Sequence, residues 1–276
     1  MPLVGFRCPD GEEISIESCL SQCRMWQRCA SKATLLAISS RERTWDGTPH
    51  VTDLLAGTMQ SYLKFTKPYT VSVEDKAFAL LGSTHHKLLE TSGEGEEDII
   101  AELDFKQLGI QGTPDNLERE GDAYVLTDYK TWGSFRVARA LGIVKIGKGK
   151  AATFKRVEDE VDLHDAEVQL NLYRRGIEAQ YNISISRMQV QITVRDGNLY
   201  AATSRGVLNN TYLIPIDRLT DEYLDNFVGI NGTLLRNAIE TDTMPPPCSE
   251  EERWGDTKCK RYCEVKEHCP HGKYIN

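Results

Sequence analysis

The chain has 276 residues, enough to bury one large core or a core with a small satellite. Apolar residues make up 40% and charged residues 27%, and no run approaches the ~20 consecutive apolar residues of a membrane helix. The formal net charge of −8 argues against coating nucleic acid by bulk electrostatics, although a local basic segment remains compatible with it. The N-terminus, MPLVGFRCPDGEE, has neither a basic head nor an apolar stretch, so the expectation is a cytoplasmic protein, bacterial or from a phage-infected cell, with no membrane partner.

In chain order, the first feature is a set of four cysteines, Cys8, Cys19, Cys23 and Cys29, spaced C-x10-C-x3-C-x5-C. Three helical patterns follow. ASKATLLAISSRER (30–43) carries alanines and leucines at helical spacing; VTDLLAGTMQSYLKF (51–65) ends before Pro68; VEDKAFALLGSTHHKLLE (73–90) opens with acids in its first turn. Beyond the acidic linker GEGEED the period changes. IIAELDFKQ (99–107), GIQGTPDNLERE (109–120) and AYVLTDYKT (123–131) read as strands joined by short polar turns such as EGD. A basic stretch, KIGKGKAATFKR (145–156), comes next and contains no acid. HDAEVQLNLYRRGIEAQY (164–181) is an amphipathic helix, RMQVQITVRDG (187–197) alternates as a strand, and RLTDEYLDNFVGINGTLLRNAIE (218–240) is a last long helix. MPPP stops it, and Cys248, Cys259, Cys263 and Cys269 repeat the spacing of the first quartet. A run of helices followed by strands and then more helices predicts a mixed α/β (α+β) class. The expected segments are a cysteine-rich 1–30, a core over 31–244 and a cysteine-rich 245–276.

No cysteine lies between residues 30 and 247, which does not suit a disulfide framework. Thiolates in closely spaced fours suit a tetrahedral soft-metal site, either zinc or an iron–sulfur cluster.

The stretch that suggests chemistry is Gly112-Thr113-Pro114-Asp115 followed by Asp128-Tyr129-Lys130. Two positions apart on a strand, Asp128 and Lys130 point to one face, and Asp115 comes from the neighbouring strand. Hard oxygen ligands with open water positions suit Mg2+ or Mn2+, and phosphodiester hydrolysis uses such a metal to acidify a water and screen the phosphate. An adjacent lysine can orient that water and steady the negative charge that develops. Upstream, Gly82, His86 and Glu90 lie one turn apart on one helix face, with Glu90 a possible brace for the imidazole, while His85 reads as a surface or core residue. Downstream, Gln169 and Tyr173 are i,i+4 neighbours that can face the same cleft.

The ordered series G-x-x-x-H, G-x-x-D, D-x-K and Q-x-x-x-Y, from residue 82 to 173, resembles the RecB-like branch of the PD-(D/E)XK nuclease superfamily. That branch includes nuclease domains of recombination helicases and CRISPR-associated adaptation nucleases. The resemblance implies a restriction-endonuclease-like core with a mixed central sheet. His86, Asp115 and Asp128 would be metal ligands, Asp115, Asp128 and Lys130 catalytic, and Gln169 and Tyr173 supporting. Several members of this branch carry a [4Fe–4S] cluster held by one cysteine before the core and three after it, which implies Cys29, Cys259, Cys263 and Cys269 here. The remaining Cys8, Cys19, Cys23 and Cys248 would then hold a second metal such as zinc, or else each repeated quartet binds its own ion; the sequence leaves both open. The segment 8–29 is also similar to nuclease-like proteins of tailed phages.

The expected function is a Mg2+- or Mn2+-dependent DNA exonuclease or end-processing nuclease in recombination, repair or phage replication. Its substrates would be single-stranded DNA or duplex ends, since no base-reading module is evident, and recombination or replication proteins are candidate partners. Arg136, Arg139, Lys145, Lys148, Lys150, Lys155 and Arg156 would contact the DNA backbone. The alternative is a non-catalytic nucleic-acid adaptor whose metal–thiolate ends recruit partners. A zinc–thiolate hydrolase unrelated to DNA fits least, because four-thiolate sites leave no open coordination position.

Overall fold

A computed structural model describes residues 3–40, 43–147 and 152–275. Helices and mixed sheets make up the chain, in agreement with the α+β class. Among the described residues no helix is long and apolar enough to cross a membrane. Residue contacts divide the chain into two compact units, with borders that differ from the three expected segments. One unit comprises 1–81, 109–111 and 225–276, so both cysteine quartets belong to it; the other comprises 82–108 and 112–224.

The first unit opens with β1 (Leu3–Arg7), β2 (Glu13–Ser15), α1 (Ile16–Ser21) and α2 (Lys32–Ser39). α3 (Val51–Leu55), α4 (Thr58–Thr66), β3 (Tyr69–Ser72) and the start of α5 (Val73–Gly93) follow. β1 is central in a sheet of order β2-β1-β3, antiparallel to β2 and parallel to β3. Leu3, Phe6, Cys19, Leu35, Ile38 and Val71 form a buried cluster around it. The close approach of β1 to β2 requires Gly5, where a Cβ would stand 2.3 Å from the Ile14 carbonyl oxygen. These strands were not anticipated, because three to five residues are too few for a period-2 pattern to register. Two expected helices are shorter or divided. α2 begins when Ser31 caps it by accepting from Thr34 N at 3.2 Å, and the helix expected over 51–65 is split at Gly57. Gly57 has φ of 89°, a left-handed conformation that breaks the ladder between α3 and α4.

The second unit is built on β4 (Ile99–Ala101), β7 (Asn116–Glu120), β8 (Ala123–Trp132), β11 (Ile185–Val194) and β12 (Thr211–Ile216). Between them lie the short strand β5 (Phe105–Gln107), α6 (Ser134–Ala140), β9 (Ile143–Ile146), β10 (Thr153–Arg156) and α7 (His164–Tyr181); β6 (Ile110–Gly112) has its first two residues in the other unit. The sheet order is β12-β11-β8-β7-β4, with β8 and β11 parallel and every other neighbouring pair antiparallel. Joining two parallel strands requires a crossover, here made by the chain from α6 through α7, and α7 packs on β8, β11 and β12. Both faces of β8 are covered, since the consecutive Val125, Leu126, Thr127 and Asp128 are all buried. Leu117, Leu126, Val190 and Ile192 are fully buried in this sheet, each contributing about 1.5–3 kcal/mol relative to exposure.

Two of the three expected strands are interrupted. The run 99–107 breaks into β4 and β5 at Glu102, whose φ is 48°, and 109–120 breaks into β6 and β7 across Thr113, Pro114 and Asp115. Proline has no N–H for the ladder, so pairing stops there and resumes at Asn116. Short α8 (Tyr200–Thr203), then α9 (Asp221–Glu240) and α10 (Thr257–Arg261), complete the helices.

Candidate active site

The β7–β8 hairpin sets the positions of both aspartates. Its turn contains Gly121 with φ of 66°, and its register pairs Asn116 with Thr127. The residue before that rung is Asp115, and its Oδ2 accepts from Tyr129 N at 2.7 Å, so the side chain stands in for the missing ladder partner. Asp128 and Lys130 share a face of β8, and Lys130 Nζ lies 2.7 Å from Asp128 Oδ2. From α5, His86 Nδ1 donates to Asp115 Oδ1 at 3.3 Å.

The two motif glycines have steric reasons. A Cβ on Gly82 would stand 3.2 Å from Thr131 Oγ1, which lets α5 lie close against β8 and aim His86 at Asp115. A Cβ on Gly112 would stand 2.7 Å from Tyr173 Cε1 and 3.0 Å from the Phe105 ring. Phe105 and Tyr173 meet edge to face at 6.0 Å between centroids, and Gly176 of α7 makes room for Phe105 in the same way.

From α7, Gln169 links the remaining groups. Its Oε1 accepts from Lys130 Nζ at 3.1 Å, and its Nε2 donates to Asp128 Oδ1 at 3.2 Å and to the Tyr173 hydroxyl at 3.1 Å. Lysine offers only donors, so the amide orientation follows from its partners. His86 with Asp115, and Asp128 with Lys130, Gln169 and Tyr173, thus form two bonded groups from four separate stretches of sequence, joined where Asp115 meets the β8 backbone at Tyr129.

Its electrostatics turn on Asp128, which is 2% exposed. Burial, with Asp115 close by, raises its pKa even though Lys130 and His86 favour the ionised form. Asp128 Oδ2 lies 2.7 Å from the Lys130 ammonium, its charge partner. That ammonium offsets part of the cost of burying the carboxylate. The hydrogen bond to Asp115 raises the pKa of His86, and burial lowers that of His85, which lies within 3.4 Å of Thr193 Oγ1.

This donor set fits a hard divalent cation: two carboxylates, one of them buried, and an imidazole. Among the described residues no group of three or more His, Cys, Asp and Glu side chains is drawn together as a ready metal cage. The reason is visible in the pairing. His86 is bonded to Asp115, and Lys130 is paired with Asp128, so a cation would compete with both groups for the carboxylate oxygens.

Glu102 was missed in the sequence. Its pKa is raised by burial and by Glu90, with Asp115 also contributing, which places three carboxylates at one edge of the network. Its left-handed backbone and the bond from its N–H to the Asp115 carbonyl, 3.3 Å, hold it there. A lone glutamate between two short strands carries no periodic signal. Glu90 is engaged by Lys87 at 2.6 Å and by Glu102, and the imidazole it was expected to brace is held by Asp115.

The basic residues divide. Arg136 donates to the Asp162 carbonyl at 2.6 Å and lies over the Trp132 ring, and Arg139 pairs with the Asp162 carboxylate at 2.5 Å. Both therefore have partners within the chain. Lys145, Lys155 and Arg156 are exposed on the antiparallel β9–β10 hairpin, while Lys148 and Lys150 lie outside the described residues.

The eight cysteines carry free thiols. The Cys19 thiol interacts electrostatically with Cys29, Cys8 and Cys23. Likewise Cys248 and Cys259 each interact with Cys269, and Cys263 with Cys259 and Cys248. Burial raises the pKa of Cys19, Cys248 and Cys259, and takes that of Cys263 to about 11.

No protein-family model matches the chain, and no curated protein matches it. Among solved structures, the crystal structure of SSO0001 is similar over 87% of this chain and 93% of its own, with 16% sequence identity and a TM-score of 0.43.

Proposed function

We propose that this chain is a Mg2+- or Mn2+-dependent deoxyribonuclease with a PD-(D/E)XK core, acting on single-stranded DNA or duplex ends in recombination, repair or phage replication. The observation that carries this reading is the meeting of Asp128, a buried carboxylate whose pKa is raised by burial and by Asp115, with Asp115, His86 and Lys130. A fold held together by packing alone gains nothing from such a group.

His86, Asp115 and Asp128 would hold the cation. When bound, it would acidify a water and screen the charge of the scissile phosphate. The Lys130 ammonium, beside Asp128 and held by Gln169, orients the attacking water and offsets the charge of the pentavalent phosphorane. Gln169 in turn is held by Tyr173, so the helix sets the reach of the lysine. Exposed Lys145, Lys155 and Arg156 on the β9–β10 hairpin would contact the DNA backbone.

Purified protein is expected to degrade linear DNA with Mg2+ or Mn2+ and not without them. Lys130→Ala should reduce the rate by about 100- to 1,000-fold or more, as losing a donor to developing charge does, with an unchanged circular-dichroism spectrum. Full cleavage by the variant, or by wild type in chelator, would refute the reading. DNA binding without cleavage under every metal tried would instead favour the adaptor.

A further inference from the structure

The end of the second unit's sheet carries aromatic rings that its packing leaves in water. β8 and β11 run parallel, with Lys130 opposite Ile192 and Trp132 opposite Val194, so both strands finish at the same end of the sheet. Trp132 lies two residues, or ~7 Å, beyond Lys130 along β8. We propose that Phe135 and Tyr200, on the two segments leaving this end, form a stacking platform for the bases of single-stranded DNA. The proposal rests on the deoxyribonuclease reading for its ligand and adds the surface that holds the strand.

The two segments are locked together. Arg195 N donates to the Trp132 carbonyl at 2.9 Å. Asp196, two residues past β11, accepts from Ser134 N and from Ser134 Oγ, both at 2.6 Å. Arg205 donates to Ser134 Oγ at 2.8 Å and to the Ala201 carbonyl at 3.3 Å. One guanidinium thus holds the residue before Phe135 and the residue after Tyr200. Ser134 and Ala202 are fully buried, whereas Phe135 is 64% and Tyr200 86% exposed. Each ring therefore stands on an anchored backbone, which limits the freedom lost when a base packs against it. The Trp132 ring beside them is already covered by Arg136, 4.7 Å from its centroid.

Cations flank the rings. In the β9–β10 hairpin, Phe154 pairs with Lys145 and Arg156 with Ile143. Paired residues share a face and each strand alternates, so Ile143, Lys145, Phe154 and Arg156 lie on one face. That face rests on Gly206, next to Arg205, where a Cβ would stand 2.7 Å from the Phe154 ring and 2.9 Å from Ile143 Cγ2. Lys145 and Arg156, both exposed, are therefore on the side of the hairpin that meets the end of α8. Asp159 and Glu160, which follow β10, gather with Arg139 and Asp162 around the C-terminal end of α6, the opposite end from Phe135.

Exposed rings with cations alongside, in a chain of net charge −8, complement a polyanion that carries flat apolar bases. A duplex hides those base faces in its own stack, so such a surface selects single strands. Stacking is also tolerant of sequence, which suits a protein without a base-reading module.

The test is fluorescence anisotropy of labelled oligothymidylate, an abasic strand of equal length and a duplex, all in chelator so that cleavage does not interfere. Wild type is compared with Phe135→Ala, Tyr200→Ala and Tyr200→Phe. Wild type should bind oligothymidylate more tightly than the abasic strand or the duplex. Each alanine variant should weaken oligothymidylate binding about 5- to 100-fold, as loss of one base–aromatic stack does. Abasic binding and the salt slope should stay as in wild type, and Tyr200→Phe should keep full affinity. Because both rings are exposed, all variants should melt at the wild-type temperature. Alanine variants that bind oligothymidylate like wild type, or lose the abasic strand equally, would overturn the platform. So would wild type that binds none of the three, or binds the abasic strand as tightly as oligothymidylate. The two readings fail separately. Cleavage with Mg2+ alongside unchanged binding by the alanine variants removes only the platform; ring-dependent binding by a protein that cleaves under no metal removes only the nuclease.

Discussion

The acid–lysine network and the cysteine quartets are built by opposite means. Asp115, Asp128 and Lys130 are placed by strand register, and Gln169 and Tyr173 by a helix packed on the same sheet. Their relative positions are therefore tied to a ladder of backbone bonds and a core of fully buried side chains. The quartets occupy turns and very short helices, held by arginine-to-carbonyl bonds and ion pairs. Sheet register and helix packing fix the first set, whereas turns and short helices carry the second.

The largest effect that would break this contrast is expected at Asp115→Asn. Asparagine can still accept from Tyr129 N and meet a neutral His86, so the fold should survive. Cleavage should fall by at least the ~100-fold typical of a disturbed metal site. The pH behaviour has a definite sign. Because Asp115 raises the pKa of His86 above its usual value of about 6.5, the pair stabilises the metal-free protein fully below that value. That contribution is lost as the pH rises through the raised folded pKa, whereas divalent-metal binding improves over the same interval because the imidazole must be unprotonated. In Asp115→Asn the His86 pKa, followed by NMR, should fall and the stability profile should flatten. An unchanged pKa would show that the pair does not set it.

A second effect tests the loop-built side. Glu264, next to Cys263, lies between Lys64 at 3.1 Å and Lys76. Burial alone would raise its pKa, but the two ammonium groups outweigh burial and bring it to about 2. Glu264→Gln is expected to cost about 2–3 kcal/mol near neutral pH, with the difference shrinking as the pH falls from about 4.5 towards 2. Urea melts of both proteins across that range would measure it, and a pH-independent difference would remove the ion pair as its cause.

The smallest effect is expected at Gly112→Ala. The added methyl would press on Tyr173 and Phe105, costing about 1–3 kcal/mol as overpacking does. Displacing Tyr173 would also loosen Gln169, so cleavage should fall more than stability alone explains, and a Tyr173→Phe variant should share part of that loss. Equal stability and activity to wild type would mean that the ring has room the structure does not show.

Much of the network was legible beforehand because strand and helix periods project residues predictably. Asp128 and Lys130 share a face because they are two apart, and Gln169 and Tyr173 because they are four apart. Glu102 was not legible, since its place beside Asp115 depends on a left-handed residue between two three-residue strands. Arg136 and Arg139 read as free cations until Asp162, more than twenty positions away, is found to bind both. The N-terminal sheet escaped notice for the same reason as Glu102: its strands are too short to carry a period.

By itself the sequence determined which chemical groups are available, their local faces, the mixed α+β class and the identical spacing of two cysteine quartets. Only the tertiary structure decided which of those groups meet. It bonded His86 to Asp115, buried Asp128 beside Lys130, and hung Lys130 from Gln169. The physical reason is range: helix and strand periods govern neighbours within a few residues, whereas burial, pairing and the charge state of a carboxylate depend on every segment packed around it.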